Sequence, residues 1–361
     1  MALKIDEFQQ HYSEHSEELR RQLKEKDLVL SQYRKEHGKL SVFFDELTRN
    51  IEPIPPPPPV FIKADTKHNI CAAVMRISDP HTGASQDALE IEGLNNYSFA
   101  ICEKRQMYYV DTFVGWVYRQ RKSYPINDCH VIVTGDLVSG DIHQELQVTN
   151  EFPAPVAVVK ATEVLVQQLH KLAPHFDKVV VEFVTEDNHG RLTKKPQAKE
   201  AGKNNYNYII GMMAKEFLKD CENVTFNIYP QLEAVVTVLN RNYLITHGHQ
   251  IRAWMGIPFY GVQRMVGKES SRRMVQMLDE LREESIEAVQ QAKRMGFHKF
   301  VMGHYHQWFE SYYYSICPSV SGPDAYDVQC GNFHPPGQSA WLVHSEKAEF
   351  NHIFFDFSKI Q

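Results

Sequence analysis

Aspartate, asparagine and histidine recur along this chain in five short clusters whose residue types suit metal binding. Asp79-Pro80-His81 comes first. Gly135-Asp136, Asp187-Asn188-His189-Gly190, His247-Gly248-His249 and Gly303-His304-Tyr305-His306 follow in that order. Two carboxylates, an amide oxygen and several imidazoles, with no thiolate, make a mixed oxygen and nitrogen donor set. Such a set suits manganese, iron or zinc better than copper(I), calcium or an iron–sulfur cluster. Asp79 and His81 stand two apart, so in an extended segment both side chains point to one side and can grip one ion. His304 and His306 share that spacing. Taken singly, the clusters are ordinary: Asp-x-His is a loop or cap, Gly-Asp a turn, Asn-His-Gly a tight turn or helix end. Five of them, each closing an apolar run, form a pattern that core packing does not require.

The elements that must position these residues are legible as alternating patterns. Short apolar runs predict strands at Ile70–Ile77, His130–Thr134, Val179–Val184, Val235–Leu239, Tyr243–Thr246 and Lys299–Met302. Helical periodicity covers Tyr97–Arg119, Val156–Leu172, Tyr206–Leu218 and Ser271–Met295. Alternation of this kind predicts an α/β layered domain, in which binding sites lie beyond the carboxyl ends of strands. Five of the predicted strands run into the five clusters. Glycines at 135, 190, 248 and 303 let the backbone turn beside a crowded charged centre. From Phe309 to Phe357 the chain is aromatic and strand-like, which predicts a further set of antiparallel strands.

Residues 1–52 read differently, as a charged helical extension with a break at His37-Gly38 and a possible cap at Ser41. Such a pair of helices serves as an interaction or oligomerisation arm, or as a helix-turn-helix element. A proline-rich linker, 53–59, follows and marks the boundary with the domain at 60–361. Proline lacks the amide donor and fixes φ, so this run favours a stiff polyproline II spacer. The chain has 361 residues, of which 43% are hydrophobic, and a net charge of −6, which gives no whole-chain nucleic-acid signature. Six scattered cysteines, without a C-x-x-C pair, exclude a zinc ribbon and a dense disulfide framework. The polar amino terminus and the absence of long apolar runs lead to the expectation of a cytoplasmic protein that does not enter the membrane.

The order D-x-H, G-D, N-H, H, G-H-x-H resembles that of the calcineurin-like metallophosphoesterases, over roughly residues 68–310. The resemblance implies an α/β fold of four layers (α/β/β/α), two mixed sheets packed together with helices outside. It implies a site for two divalent metal ions, manganese first and iron or zinc as alternatives. Asp79, His81 and His306 would hold one ion; Asn188, His247 and His304 would hold the other, with Asp136 bridging. His189 would be the catalytic acid. Two cations clamp both ends of an in-line displacement and lower the pKa of a water between them, and an imidazole is suited to protonating the leaving oxygen. One departure stands out: the family usually has glycine before the Asn-His pair, where this chain has Asp187, preceded by Glu186.

The substrate is read from what lies beyond the motifs. Arg191, Lys194, Lys195, Lys199 and Lys203 follow one cluster; Arg252, Arg264, Lys268, Arg272 and Arg273 follow another. Positive side chains beside a metal cleft bind additional phosphates, and Trp254, Phe259 and Tyr260 could stack on bases. The reading is a phosphodiesterase or nuclease whose partner is a nucleic acid or nucleotide, with Arg191, His143 and Arg252 as substrate contacts and Asp141 nearby. A phosphatase or cyclic-nucleotide phosphodiesterase for a small molecule is the alternative. A non-catalytic scaffold is the third, and the intact ligand set argues against it.

Overall fold

The computed structural model describes residues 20–22, 24–28, 31, 54–58, 70–253, 258–283 and 285–361. The chain divides into two compact units, Met1–Glu52 and Pro53–Gln361. In the first, the described residues are helical. The break at His37-Gly38 and the Ser41 cap lie outside the described residues, as does Trp254. In the second unit, residues 54–58 form neither helix nor strand. Ile54 N–H donates to Phe217 O (3.4 Å), and His170 Nε2 lies 3.2 Å from Pro55 O. The first two of these residues therefore touch the domain.

Two sheets carry the second unit. Strands β1 (Cys71–Ile77), β2 (Ile126–Val133), β3 (Lys178–Val184) and β4 (Val224–Tyr229) run parallel in the larger, six-stranded sheet. Its other edge is closed by β10 (Gly337–His344) and β11 (Glu349–Asp356), both antiparallel to their neighbours. The five-stranded sheet has the order β5-β6-β7-β9-β8, from Glu233–Val238, Arg241–Thr246, Lys299–Met302, Tyr314–Ile316 and Phe309–Glu310 respectively.

Strict alternation assigns each residue to a layer. On β1, Cys71, Ala73, Met75 and Ile77 face the helices α1 (Phe99–Gln120), α3 (Ala154–Leu172) and α4 (Tyr206–Phe217), while Ala72 and Val74 face the other sheet. On β7, Val301 turns toward the larger sheet, and Phe300 and Met302 pack outward beneath α5 (Phe259–Glu280). The order of layers is helix, sheet, sheet, helix, as the resemblance implied. A short helix, α2 (Gln144–Thr149), precedes α3; α6 (Ile286–Met295) follows α5, and α7 (Ala325–Gln329) precedes β10.

Three expectations change. Beyond Phe309 the strands do not make a set of their own: β8 and β9 extend the smaller sheet and β10 and β11 the larger, and β9 runs parallel to β7. The single helix expected over Ser271–Met295 is two helices, the first beginning at Phe259, the second restarted by Ser285, whose hydroxyl accepts from Ala288 N–H (2.9 Å). Strand β4 was missed, although Val224, Phe226 and Ile228 alternate there.

Candidate metal centre

Parallel pairing brings the carboxyl ends of β1, β2 and β3 level, with Ile77 opposite Val133 and Val133 opposite Phe183. In the facing sheet β6 and β7 are also parallel, with Ile245 opposite Val301. All five clusters therefore leave their sheets at one end. Backbone bonds then stitch the loops: Asp79 N–H donates to Gly135 O (3.1 Å), His81 N–H to Asp136 O (3.0 Å) and Gly303 N–H to His247 O (3.0 Å).

The conformation required is costly. Asp79 (φ 53°), His81 (44°), Asp136 (48°), His304 (71°) and His306 (53°) all adopt the left-handed region, which residues with a Cβ rarely enter. Strain of this kind persists only where the surroundings over-determine it, and it concentrates at functional sites. The four glycines do not act alike. Gly248 makes a turn at φ 115°, whereas Gly303 provides room, since a Cβ there would overlap Ser78 Oγ and the Asp79 carboxylate.

The seven residues assigned to metal converge. Asp79, His81 and His306 place one donor atom each within 4.8 Å of one another; so do Asp136, His247 and His304. His81 and His306 oppose their Nε2 atoms at 3.1 Å, and His247 Nε2 lies 2.9 Å from Asn188 Oδ1 and 3.2 Å from Asp136 Oδ2. Donors bound to one ion at about 2.1 Å stand roughly 3.0–3.4 Å apart. Asp136 Oδ2 also lies 3.7 Å from His81 Nε2, so its carboxylate is shared between the two groups. A third combination, His81 with Asp136 and His189, has the same spacing, so His189 sits at the lip of the same cluster.

Hydrogen bonds select which ring nitrogen faces the site. His247 Nδ1 donates to Thr134 O (2.8 Å), His189 Nδ1 to Ser139 O (2.7 Å) and His306 Nδ1 to the Asp327 carboxylate (3.0 Å). Nε2 is left to the centre in each, as in carboxylate–histidine–metal arrangements. Burial, reinforced by the neighbouring histidines, holds the His81 and His304 imidazoles well below the ordinary value, so both present neutral nitrogen. Against burial, Asp136 pushes His247 up to about 10, and Asp327 with Asp79 pushes His306 to about 10. The carboxylates thus favour positive charge at the centre, which a divalent cation would supply. The donor set fits such ions.

Two residues behind the centre have parts that the sequence did not assign. Asp187 does not face the centre: its buried carboxylate accepts from Asp136 N–H (2.5 Å) and Gly190 N–H (2.7 Å). Asp327 carried no functional signal, only the Asp324-x-x-Asp327 spacing of a helix cap. His143 is exposed at the start of α2, Asp141 and Arg252 are exposed, and the Arg191 guanidinium binds carbonyls of its own loop, Thr193 O (3.1 Å) and Asn188 O (3.2 Å). Arg272 and Arg273 are engaged by Glu233 at 2.8 and 2.9 Å, and Phe259 packs on Phe309 with ring centres 4.5 Å apart. Tyr260 is exposed.

The class so defined is a two-sheet α/β protein with a strained histidine–carboxylate cluster across the ends of both sheets. The sequence matches no protein-family model and no curated protein. Among solved structures it is similar to a Vps29 from Entamoeba histolytica complexed with Zn2+, at 12% identity over 79% of this chain and 99% of that one (TM-score 0.23). It is similar also to the calcineurin-like phosphoesterase YfkN from Bacillus subtilis, at 13% identity over 80% of this chain and 89% of that one (TM-score 0.27). At those scores neither bears on the chemistry, which rests on the residues above.

Proposed function

We propose that this chain is a metal-dependent phosphoesterase, with two divalent cations held by Asp79, His81, Asp136, Asn188, His247, His304 and His306, and that it hydrolyses phosphodiesters of nucleotide or nucleic-acid type. The observation that carries this is the convergence of five strand ends on one set of donors at ligand separations, with the distal nitrogens of His247 and His306 already tied. When bound, the ions would neutralise the phosphate and make an adjacent water acidic enough to attack near neutral pH. The chain's own part is positioning and proton transfer. His189 is oriented by Ser139 O, its ring edge-on to His81 with centres 4.6 Å apart. Its Nε2 is thereby directed to the cluster, where it protonates the departing oxygen.

The exposed Lys194, Lys195 and Lys199, on the loop after His189, support a substrate with more than one phosphate. The engagement of Arg272 and Arg273 by Glu233 favours the second reading, a small phosphate ester. Metal analysis followed by a substrate panel separates them. Manganese-loaded protein should cleave bis-p-nitrophenyl phosphate; cleavage of single-stranded DNA, duplex DNA or RNA would establish the polymer reading. Turnover confined to cyclic nucleotides or monoesters would establish the small-molecule one. Purified protein that takes up no stoichiometric divalent metal would overturn both in favour of a scaffold.

A further inference from the structure

We propose that Asp187 is a positioning residue that locks the Asp136 loop to the His189 loop and thereby sets the affinity of the centre for metal. The inference rests on the metal reading above but makes its own structural prediction. Asp187 has 3% of its surface exposed, and its carboxylate gathers four donors. Oδ2 accepts from Asp136 N–H (2.5 Å) and from the Asn207 amide; Oδ1 accepts from Gly190 N–H (2.7 Å) and Asn205 Nδ2 (2.9 Å). Two of the donors belong to the loops that carry Asp136 and His189. The other two come from the first turn of α4, where Asn205 is the N-cap and its Oδ1 accepts Asn207 N–H (2.9 Å).

The geometry has one consequence for the centre. Asp136 holds a left-handed φ of 48°, a conformation that needs an external hold on its peptide, and Asp187 supplies that hold from behind. The circuit closes when His189 N–H donates to Asp136 Oδ1 (3.2 Å). Asp136 Oδ2 is thereby left toward His247 and His81, at 3.2 and 3.7 Å. With two donors on each oxygen, two of them from the Asn205–Asn207 start of α4, the Asp187 carboxylate is fully committed behind the centre. Glycine at this position would leave both backbone donors without that acceptor. The aspartate and the paired asparagines on α4 thus work as one unit.

Two variants separate position from charge. Asp187→Asn removes the charge and turns an NH2 group against a backbone N–H; Asn207→Ala keeps the charge but takes one of the two donors from Oδ2. In metal-free protein, amide hydrogen exchange at residues 134–140 and 187–191 should quicken by at least about tenfold in Asp187→Asn, with β1 and β3 unchanged. Calorimetric titration with Mn2+ should show affinity weakened by about 10–100-fold, the usual effect of losing a partner behind the ligands. Asn207→Ala should move both readouts in the same direction by a smaller factor. Parental exchange and parental Mn2+ affinity in Asp187→Asn would overturn the proposal. So would weakened Mn2+ binding in Asp187→Asn with none in Asn207→Ala, which would assign the effect to charge. If the parent binds Mn2+ yet cleaves no phosphate ester, the enzymatic reading falls while this one stands. Absence of Mn2+ uptake by the parent sinks the metal half of both, and exchange alone then reads the lock.

Discussion

His189 has one nitrogen committed to a backbone carbonyl and stands at the lip of the cluster, beside His81 and Asp136. Replacement by alanine should leave metal uptake near parental and reduce turnover by about 10²–10⁴-fold on esters with poor leaving groups. The loss should be smaller with p-nitrophenolate, which needs no proton; equal losses on both would remove the acid role. Asp327 acts one shell further out, through His306 Nδ1. Asp327→Asn should weaken metal binding by about 10–100-fold on the side of Asp79 and His81, read by titration with Mn2+. The residues of the candidate centre were legible one by one because their types are rare at strand ends and recur in one order. Asp327 was not, since an aspartate that caps a helix and one that orients a ligand look the same in a string of letters. Asp187 was noticed as a departure, but its orientation depends on Asn205 and Asn207, which sequence alone does not place beside it.

At the level of elements, the two sheets are fastened at one edge by a buried ionic network. Lys299 on β7 meets Glu310 on β8 at 2.9 Å and Glu349 on β11 at 3.6 Å, and Arg241 on β6 meets Glu349 at 3.2 Å. The Lys299 side chain is only 2% exposed, so its removal takes a buried cation from between two carboxylates, leaving Arg241 to Glu349 and His352 to Glu310. Lys299→Met should lower unfolding stability by about 3–5 kcal/mol in chemical denaturation. Burial opposes ionisation of Glu310, but His352 and Lys299 hold its carboxyl at about 2, down from 4.5. A depressed acid contributes stability that is complete above the unfolded value and lost as the pH falls through the folded one. That contribution should therefore be intact above about pH 4.5 and disappear toward pH 2, and Lys299→Met should flatten this part of the profile. An unchanged acid limb in the variant would contradict the assignment. The periodicity of single elements was readable, and six strands were located to within a few residues. What failed were β4, the helix restart at Ser285, and the sheet to which β8 through β11 belong, the last set by partners distant in sequence.

The whole molecule couples the centre to folding, because its donors come from both sheets and from loops in strained conformations. Ions that bind only the folded chain stabilise it by mass action, by about 2.7 kcal/mol at a hundredfold excess over Kd. Added Mn2+ should raise the thermal midpoint of the parent and chelator should return it; Asp136→Ala should abolish most of the rise. A midpoint indifferent to Mn2+ would count against any site spanning the two sheets. Among the described residues no helix is long and apolar enough to cross a membrane, and Cys71, Cys102, Cys129, Cys221 and Cys317 are buried.

By itself, the sequence determined the chemistry available to this protein: which donors exist, in what order, and that each follows an apolar run able to form a strand. Those are local properties, written in residue type and spacing. The tertiary structure decided which nitrogen of each histidine is free, which carboxylates face the centre and which stand behind it, and which arginines are already engaged. Such choices depend on partners up to a few hundred residues away, brought within about 3 Å by the packing of two sheets. The same carboxyl group faces the centre at Asp136 and stands behind it at Asp187 because α4 presents two amides to one and not to the other.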